Sequence, residues 1–330
     1  MLGTIARIAV VGVASIAAAI AVADGKADGL PVLGVDVGPV GVVATSGPAR
    51  YVTLPAKGHT VVARVRRDGG QILASRVLPG SFTIPAVAYD GSASGLSADG
   101  HVLVLIQPRA QFPRVRTTLA ILDARLLRVR TILQLRGDFS FDAISPDASL
   151  LYFIEYVAPR DPTRYAVRAY DVASGRFLGK PIVDPNEEDP GEMRGYPLTR
   201  TVSPDGRWAY TLYDGAGKHP FIHALDTSEG RAVCIDTPSL AGRRDLDQLG
   251  LGVSGDGSAL TVAHGTQPVA LVNTQTFEVT DPSEPAPRAD PGNSDAWRLI
   301  APAAVVLLLS GGALFLILRR RGGDLAAGDA

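Results

Sequence analysis

Cysteine is almost absent from this chain of 330 residues. Cys234 stands alone, so no intrachain disulfide can form and no paired-thiolate zinc or redox site exists. Neither sign of charge is in excess: 32 Lys and Arg against 33 Asp and Glu leave a formal net charge of −1. The basic stripe of a nucleic-acid-binding protein is therefore missing. Lysine occurs only at 26, 57, 180 and 218, so the basic residues are overwhelmingly arginine. The histidines His59, His101, His219, His223 and His264 have no metal-ligand spacing among them, and no His-Glu-x-x-His motif occurs. No nucleophile elbow is present. The sequence thus assigns no catalytic residue, no metal and no cofactor. Gly250, Gly252 and Gly255 do match G-x-G-x-x-G, but a strand-forming run follows them where a dinucleotide fingerprint needs a helix.

What the chain has is a repeat. Ser97-Ala98-Asp99-Gly100 returns as Ser145-Pro146-Asp147-Ala148, Ser203-Pro204-Asp205-Gly206 and Ser254-Gly255-Asp256-Gly257, at steps of 48, 58 and 51 residues. An alternating apolar run follows each copy. A second phrase, an apolar strand ending in Asp or Asn and then a polar turn, recurs at Asp123, Asp171, Asp226 and Asn273. Its offsets from the first phrase are 26, 26, 23 and 19 residues. Two turns in fixed order within one period imply four strands per repeat, A to D, which is a propeller blade. Asp suits these turns because its side chain bonds nearby backbone, and Gly because it accepts positive φ. A fifth copy is weaker, built on Ser46-Gly47-Pro48 and Asp68-Gly69-Gly70. The expected fold is an all-β propeller of about five four-stranded blades over residues 32–280, behind a lead-in at 24–31. Leu151, Phe153, Leu212 and Val262 on the B strands are expected core.

The Ser203–Trp208 run resembles the blade hairpin of TolB-like, YVTN-type and WD-repeat propellers. Asp171–Gly175 resembles their C–D turn. The resemblance covers most of the chain. It implies a fold, and little about activity, because propellers host enzymes, receptors and scaffolds. The Asp-box of sialidases is a different motif, with one more residue between Asp and Gly.

Both ends are apolar. Residues 1–23 read as a secretory signal, with Arg7 the only charge and Ala21-Val22-Ala23 a cleavage site; an uncleaved anchor is the alternative. Leu299–Leu318 carries no charge and is long enough to cross a bilayer core of roughly 30 Å. Trp297 stands before it and Arg319, Arg320 and Arg321 follow it, which places the tail 319–330 in the cytoplasm. Residues 281–298, with Pro282, Pro285, Pro287 and Pro291, read as a stalk. An extracytoplasmic domain without disulfides suits a bacterial envelope, held as a single-pass protein of the cell membrane.

In a propeller the B–C and D–A connections share one face, and here they are long. Function concentrates in such loops. The candidate ligand-binding residues there are Arg160, Arg164, Arg194, Lys218, His219, Arg243 and Arg244, around the mouth of the central channel. Arg109 and Arg114 lie in the same set of loops. The acidic run Asp184, Glu187, Glu188, Asp189 and Glu192 lacks calcium-loop spacing and reads as solvated loop. Two functions fit. One is a binding, sensor or scaffold module for an envelope protein, peptide or glycan, with anionic ligands favoured by guanidinium chemistry. The other is a propeller hydrolase, lyase or lactonase at the channel mouth. Protease added to intact cells is expected to remove the propeller and leave a membrane fragment of a few kilodaltons. Full protection of residues 24–296 would refute this topology.

Overall fold

The alternating runs of the sequence become strands in a computed structural model that describes residues 41–43, 47–68, 70–158, 160–187, 193–217 and 219–282. The expected signal, the lead-in, most of the stalk, the C-terminal apolar segment and Lys218 lie outside these residues. Among the described residues, no helix is long and apolar enough to cross a membrane.

Five antiparallel sheets follow one another along the chain. Sheet 1 contains β1 (Val42–Val43), β2 (Ala49–Ala56), β3 (His59–Arg66) and β4 (Ile72–Pro79). Sheet 2 contains β5 (Val102–Ile106), β6 (Arg116–Asp123) and β7 (Arg128–Arg136). Sheet 3 contains β8 (Phe139–Ile144), β9 (Leu150–Tyr156), β10 (Arg164–Asp171) and β11 (Arg176–Phe177), and β12 (Met193–Arg194) also pairs with β10. Sheet 4 contains β13 (Pro197–Val202), β14 (Trp208–Tyr213), β15 (Phe221–Asp226) and β16 (Arg231–Asp236). Sheet 5 contains β17 (Leu249–Val253), β18 (Ala259–His264), β19 (Gln267–Asn273) and β20 (Val279–Thr280). In sheets 1, 4 and 5 the spatial order is the chain order, the meander of a propeller blade. Gly250 and Gly252 lie within β17, and a turn and β18 follow them, so they are strand residues rather than a dinucleotide loop.

The first repeated phrase forms the A–B turn four times with one set of bonds. The Ser97, Ser145, Ser203 and Ser254 hydroxyls donate to Oδ1 of Asp99, Asp147, Asp205 and Asp256 at 2.5–2.8 Å. The same serine oxygens accept from the backbone N–H of Val102, Leu150, Trp208 and Ala259 at 2.8–3.0 Å. Each Asp Oδ1 also accepts from the N–H two residues on, at His101, Ser149, Arg207 and Ser258. At Asp99 and Asp147 these bonds favour the ionised carboxylate, and the Ser254 hydroxyl with its partners holds Asp256 down at about 2. The residue after Asp has positive φ in every copy: Gly100, Ala148, Gly206 and Gly257. Gly206 is doubly required, because a Cβ there would meet the Ala98 Cβ at 2.4 Å.

The second phrase forms the C–D turn. Asp123, Asp171, Asp226 and Asn273 each accept backbone N–H bonds from the turn that follows. The fourth residue on has positive φ: Leu127, Gly175, Gly230 and Phe277. Leu127 is buried in the core between sheets 1 and 2, and Phe277 packs edge-on to Trp208 with ring centroids 5.4 Å apart. Packing offsets the cost of the left-handed backbone at those two positions.

The sheets stack face to face. Tyr51, Val62 and Leu78 of sheet 1 meet Leu103, Leu105 and Leu122 of sheet 2. Between sheets 2 and 3, Phe153 lies at the centre of an aromatic group with Phe139, Phe141, Tyr170 and Phe177. Tyr152 and Val167 of sheet 3 meet Ala209 and Leu225 of sheet 4. Leu212, Ile222 and Ile235 meet Leu260, Val262 and Val272 of sheet 5. The four residues expected in the core, Leu151, Phe153, Leu212 and Val262, are fully buried.

Sheet 2 departs from the four-strand expectation. Its inner strand is split into two isolated bridges, Thr83 to Ile106 and Leu96 to Leu103. Between them the chain makes a hairpin closed by Ala86 and Ala93. The hairpin tip reaches sheet 4: Tyr89 N–H donates to Pro197 O at 2.9 Å and Asp90 N–H to Leu198 O at 3.0 Å. The Ser92 hydroxyl donates to Arg200 O and accepts from Arg200 N–H. The hairpin therefore links sheet 2 directly to β13 of sheet 4, past sheet 3.

Ala148 is the only non-glycine at its turn position. Left-handed backbone costs an alanine about 1–2 kcal/mol, and glycine's greater unfolded-state entropy returns about half of that. Ala148→Gly should raise stability by about 0.5–1 kcal/mol and the thermal midpoint by about 1–4 °C. A lowered midpoint in a thermal melt would contradict the turn assignment.

Candidate functional site

A cleft lies between sheets 3 and 4 on the long-loop side. It encloses about 370 Å³ including solvent at its mouth. Sheet 3 contributes Ser140, Asp142, Tyr156 and Tyr165; sheet 4 and the segment before it contribute Tyr196 and Tyr213; Val87 of the hairpin closes one side. Strand alternation explains the set. Ser140 and Asp142 sit two apart on β8, and Tyr165 on β10 has the parity of Val167 and Ala169, which face sheet 4.

Asp142 is the charged group at the floor. Arg200 grips it through two bonds, Nη1 to the Asp142 carbonyl and Nη2 to Oδ1, and its Nε donates to Thr211 Oγ1 at 2.7 Å. Both side chains are almost fully enclosed, 2% exposed for Arg200 and 3% for Asp142. The second carboxylate oxygen, Oδ2, is buried and has no protein partner. Burial pushes Tyr156 up to about 12 and raises Tyr165 and Tyr213 well above the usual phenol range. Tyr156 Oη bonds Ser140 Oγ at 2.8 Å, and its ring is covered by the Arg109 guanidinium at 5.4 Å.

Arg109 and Arg114 are therefore not rim residues. Arg109 donates to Asp138 at 2.6 Å, and Arg114 donates its N–H to the same carboxylate at 2.8 Å and its guanidinium to Gln107 O and Phe139 O. They form a buried strut between sheets 2 and 3. Asp184 is also no solvated loop carboxylate. It is buried; its Oδ1 accepts from Asn186 and its Oδ2 from Cys234 N–H at 2.8 Å. Glu187 is described, whereas Glu188, Asp189 and Glu192 lie outside the described residues. Cys234 lies on β16, and burial pushes its thiol up to about 12, which makes it inert.

His223 faces the same seam. It is paired in register with Thr211 and Cys234, is 1% exposed, and neither ring nitrogen has a protein partner. Desolvation lowers it to about 4, against a smaller opposing pull from Asp142. A histidine near two carboxylates is thus present, but it is sealed between sheets and neutral.

Of the seven residues chosen from sequence, Lys218 lies outside the described residues and the other six fall in two groups. Arg160, Arg164 and Arg194 lie beside Pro162 and Gly195, which line the cleft, and Arg164 and Arg194 are register partners on β10 and β12. The Asp161 carboxyl, held low by the Thr163 hydroxyl and N–H, also feels both arginines. His219 and Arg243 are at the sheet 4–5 end, where His219 meets Asp236 at 3.2 Å and Arg243 meets Asp245 at 2.6 Å. Arg244 is exposed beside them. Among the described residues, no group of three or more His, Cys, Asp or Glu side chains could hold a metal ion. Sequence reasoning missed Asp142, Arg200 and the tyrosines; the signal available was a charged residue within each of two apolar inner-strand runs.

Neutral, buried His223 makes stability fall with acid. Its folded value lies below the unfolded value of about 6.5, so the unfolded chain takes up the proton first. Stability should be flat above pH 7 and decline from about pH 6.5 toward 4, by about 3 kcal/mol from this residue. In urea titrations across that range, His223→Gln should lose most of the slope relative to the parent. An identical slope would remove His223 as its source.

No family model matches the sequence, and no curated protein matches it. Among solved structures the chain is similar to TolB from Acinetobacter baumannii, at 12% identity and TM-score 0.43, covering 72% of this chain and 52% of that one. It spans about half the length of that TolB. It is also similar to the Cps50 (Swd1) β-propeller domain of Myceliophteria thermophila, at 8% identity and TM-score 0.40, covering 72% and 71%. A third is prolyl oligopeptidase B from Galerina marginata, at 12% identity and TM-score 0.45, covering 73% and 33%. The blade assignment rests on this chain's own sheets and turns.

Proposed function

We propose that this protein is a membrane-anchored, extracytoplasmic binding module, a receptor, sensor or scaffold, whose ligand meets the long-loop face at the cleft between sheets 3 and 4. The observation that carries the reading is the floor of that cleft. Asp142 Oδ2 is a buried acceptor without a protein partner; Arg200 holds its carboxylate, and Tyr156, Tyr165, Tyr196 and Tyr213 line the same cleft. A ligand hydroxyl or amide N–H satisfies that acceptor, and tyrosine faces accept the apolar side of a sugar or peptide. Arg160, Arg164 and Arg194 at the cleft edge, with His219, Arg243 and Arg244 further round, favour partners that also carry carboxylate or phosphate. Soluble peptidoglycan fragments have both chemistries and serve as the probe. The sealed position of His223 speaks for binding over acid–base catalysis at this site.

Calorimetric titration of the full chain with these fragments should show binding that weakens as salt rises. Arg194→Glu with Arg243→Glu should weaken it further. Tyr156→Phe should cost about three- to tenfold, the worth of one hydrogen bond. Salt-independent binding untouched by all three changes would place the ligand elsewhere. Turnover of a glycan or lactone would instead favour the hydrolase, lyase or lactonase reading.

A further inference from the structure

The charge of this chain is near zero only as a total. Residues 42–136, which form sheets 1 and 2, hold 13 Lys and Arg against 4 Asp and Glu; residues 137–280, which form sheets 3 to 5, hold 12 against 20. The positive excess collects where sheets 1 and 2 face each other. Arg64 on β3 has the parity of Val62, and Arg76 on β4 is the register partner of Val62, so both belong to the face that meets sheet 2. From sheet 2, Arg116 and its register partner Arg136 have the parity of Ala120 and Leu122 and face sheet 1. The seam is closed at its centre, where Leu78 and Ala120 are buried. It is open on its outer side, where Ile132, the partner of Ala120, is 46% exposed and Arg76, Arg116 and Arg136 are exposed. Among the described residues, no strand residue on either facing surface is acidic. Arg116 donates to Gln134 Oε1 at 2.7 Å, and Arg64 donates to Arg125 O at 3.3 Å while its Nε is buried and unpartnered. Asp123, in the turn at one end, already meets Arg130 at 2.9 Å. The seams flanking sheet 3 answer each buried arginine with an aspartate, whereas Arg76 and Arg136 have no ion-pair partner among the described residues. Beside them β7 is the last strand of sheet 2, and it pairs with β6 alone from Arg128 to Arg136.

We infer that the outer seam between sheets 1 and 2 is a docking surface for an extended acidic segment of a partner protein, which adds as a strand to the edge of β7. Strand side chains alternate, so Asp or Glu at every second position of the segment turns toward sheet 1, on the side where Arg76, Arg116 and Arg136 stand. The guanidinium fork matches a carboxylate through paired hydrogen bonds. The open backbone edge of β7 and the exposed Ile132 suit a peptide, whereas a polyphosphate offers neither amide groups nor apolar surface. The positive half of the molecule also speeds encounter with an acidic partner at low salt. This surface is separate from the cleft between sheets 3 and 4 and uses none of its residues.

The probe is a fluorescein-labelled octapeptide of alternating Glu and Thr, with binding to the full-length chain in neutral detergent read by fluorescence anisotropy. The parent should bind it, more weakly as salt rises. Arg76→Glu and Arg136→Glu should each weaken binding about tenfold, the worth of one charge-assisted hydrogen bond. Lys180→Glu, a charge reversal at an exposed residue after β11, should leave binding unchanged. The same peptide N-methylated at alternate amides, and one with its Glu residues in a block, should each bind about tenfold more weakly. Circular dichroism melts check folding, and Arg76→Gln and Arg136→Gln replace either reversal that melts early. The inference falls if the alternating peptide does not bind at low salt, if both arginine variants bind it as the parent does, or if the methylated peptide binds equally well. Tighter capture of polyphosphate or of a single-stranded oligonucleotide than of the peptide overturns it in favour of a phosphate-bearing partner. The cleft is read by other variants and another probe, so either site can fail alone.

Discussion

A serine hydroxyl shared between an aspartate and a backbone amide sets the register of the inner two strands in four of the five sheets. Side chains alternate with period two, so a slip of one residue would turn every apolar side chain of a B strand to the wrong face. The turn prevents this locally. Ser203 Oγ cannot donate to Asp205 and accept from Trp208 N–H in any register but one. The buried faces of β5, β9, β14 and β18 follow from that choice, and so does the stacking of sheet on sheet.

The interfaces that result are of two kinds. Between sheets 1 and 2, and between 4 and 5, the central clusters are apolar. The two interfaces flanking sheet 3 each bury a carboxylate with arginine, Asp138 with Arg109 and Asp142 with Arg200. Both carboxylates belong to β8 or the residue before it. Buried pairs of this kind add little net stability, but loss of one partner strands a charge at a cost of about 3–5 kcal/mol. They discriminate between arrangements: a sheet placed beside the wrong neighbour leaves a carboxylate unanswered. The second of these pairs lines the cleft, and one Asp142 oxygen is left over there.

The fold was legible where the chemistry is local. Ser97, Ser145, Ser203 and Ser254 and the turn residues Asp123, Asp171, Asp226 and Asn273 announce their strands because each satisfies backbone within a few positions. The fifth blade was legible through its Asp68-Gly69-Gly70 signal, where Gly70 N–H bonds Arg66 O. The inner strand of sheet 2 was not, since the stretch from Gly80 to Gly95 carries short apolar pieces without a period. The roles of the arginines were also hidden. Arg109 meets its aspartate across 29 residues and Arg200 across 58, and nothing near either one signals whether it will face solvent or carboxylate. Arginines chosen for their loop position therefore divided into struts and surface groups only once partners were visible. The cleft was invisible for the same reason: its tyrosines come from four separate segments.

The hairpin that reaches from sheet 2 to sheet 4 changes how the molecule comes apart. A plain array of repeats behaves as a one-dimensional chain, in which each unit feels only the units beside it and can fray from an end. Ser92 and Arg200 stand 108 residues apart and skip the blade between them. Sheets 2, 3 and 4 are thereby laced into a single block that gains or loses its order together, while sheets 1 and 5 remain nearest-neighbour additions that can melt first. The same lacing makes assembly non-local. The edge of β13 reaches its full complement of bonds only after a segment made much earlier has been carried across, so loop closure over more than a hundred residues precedes completion of the middle blades.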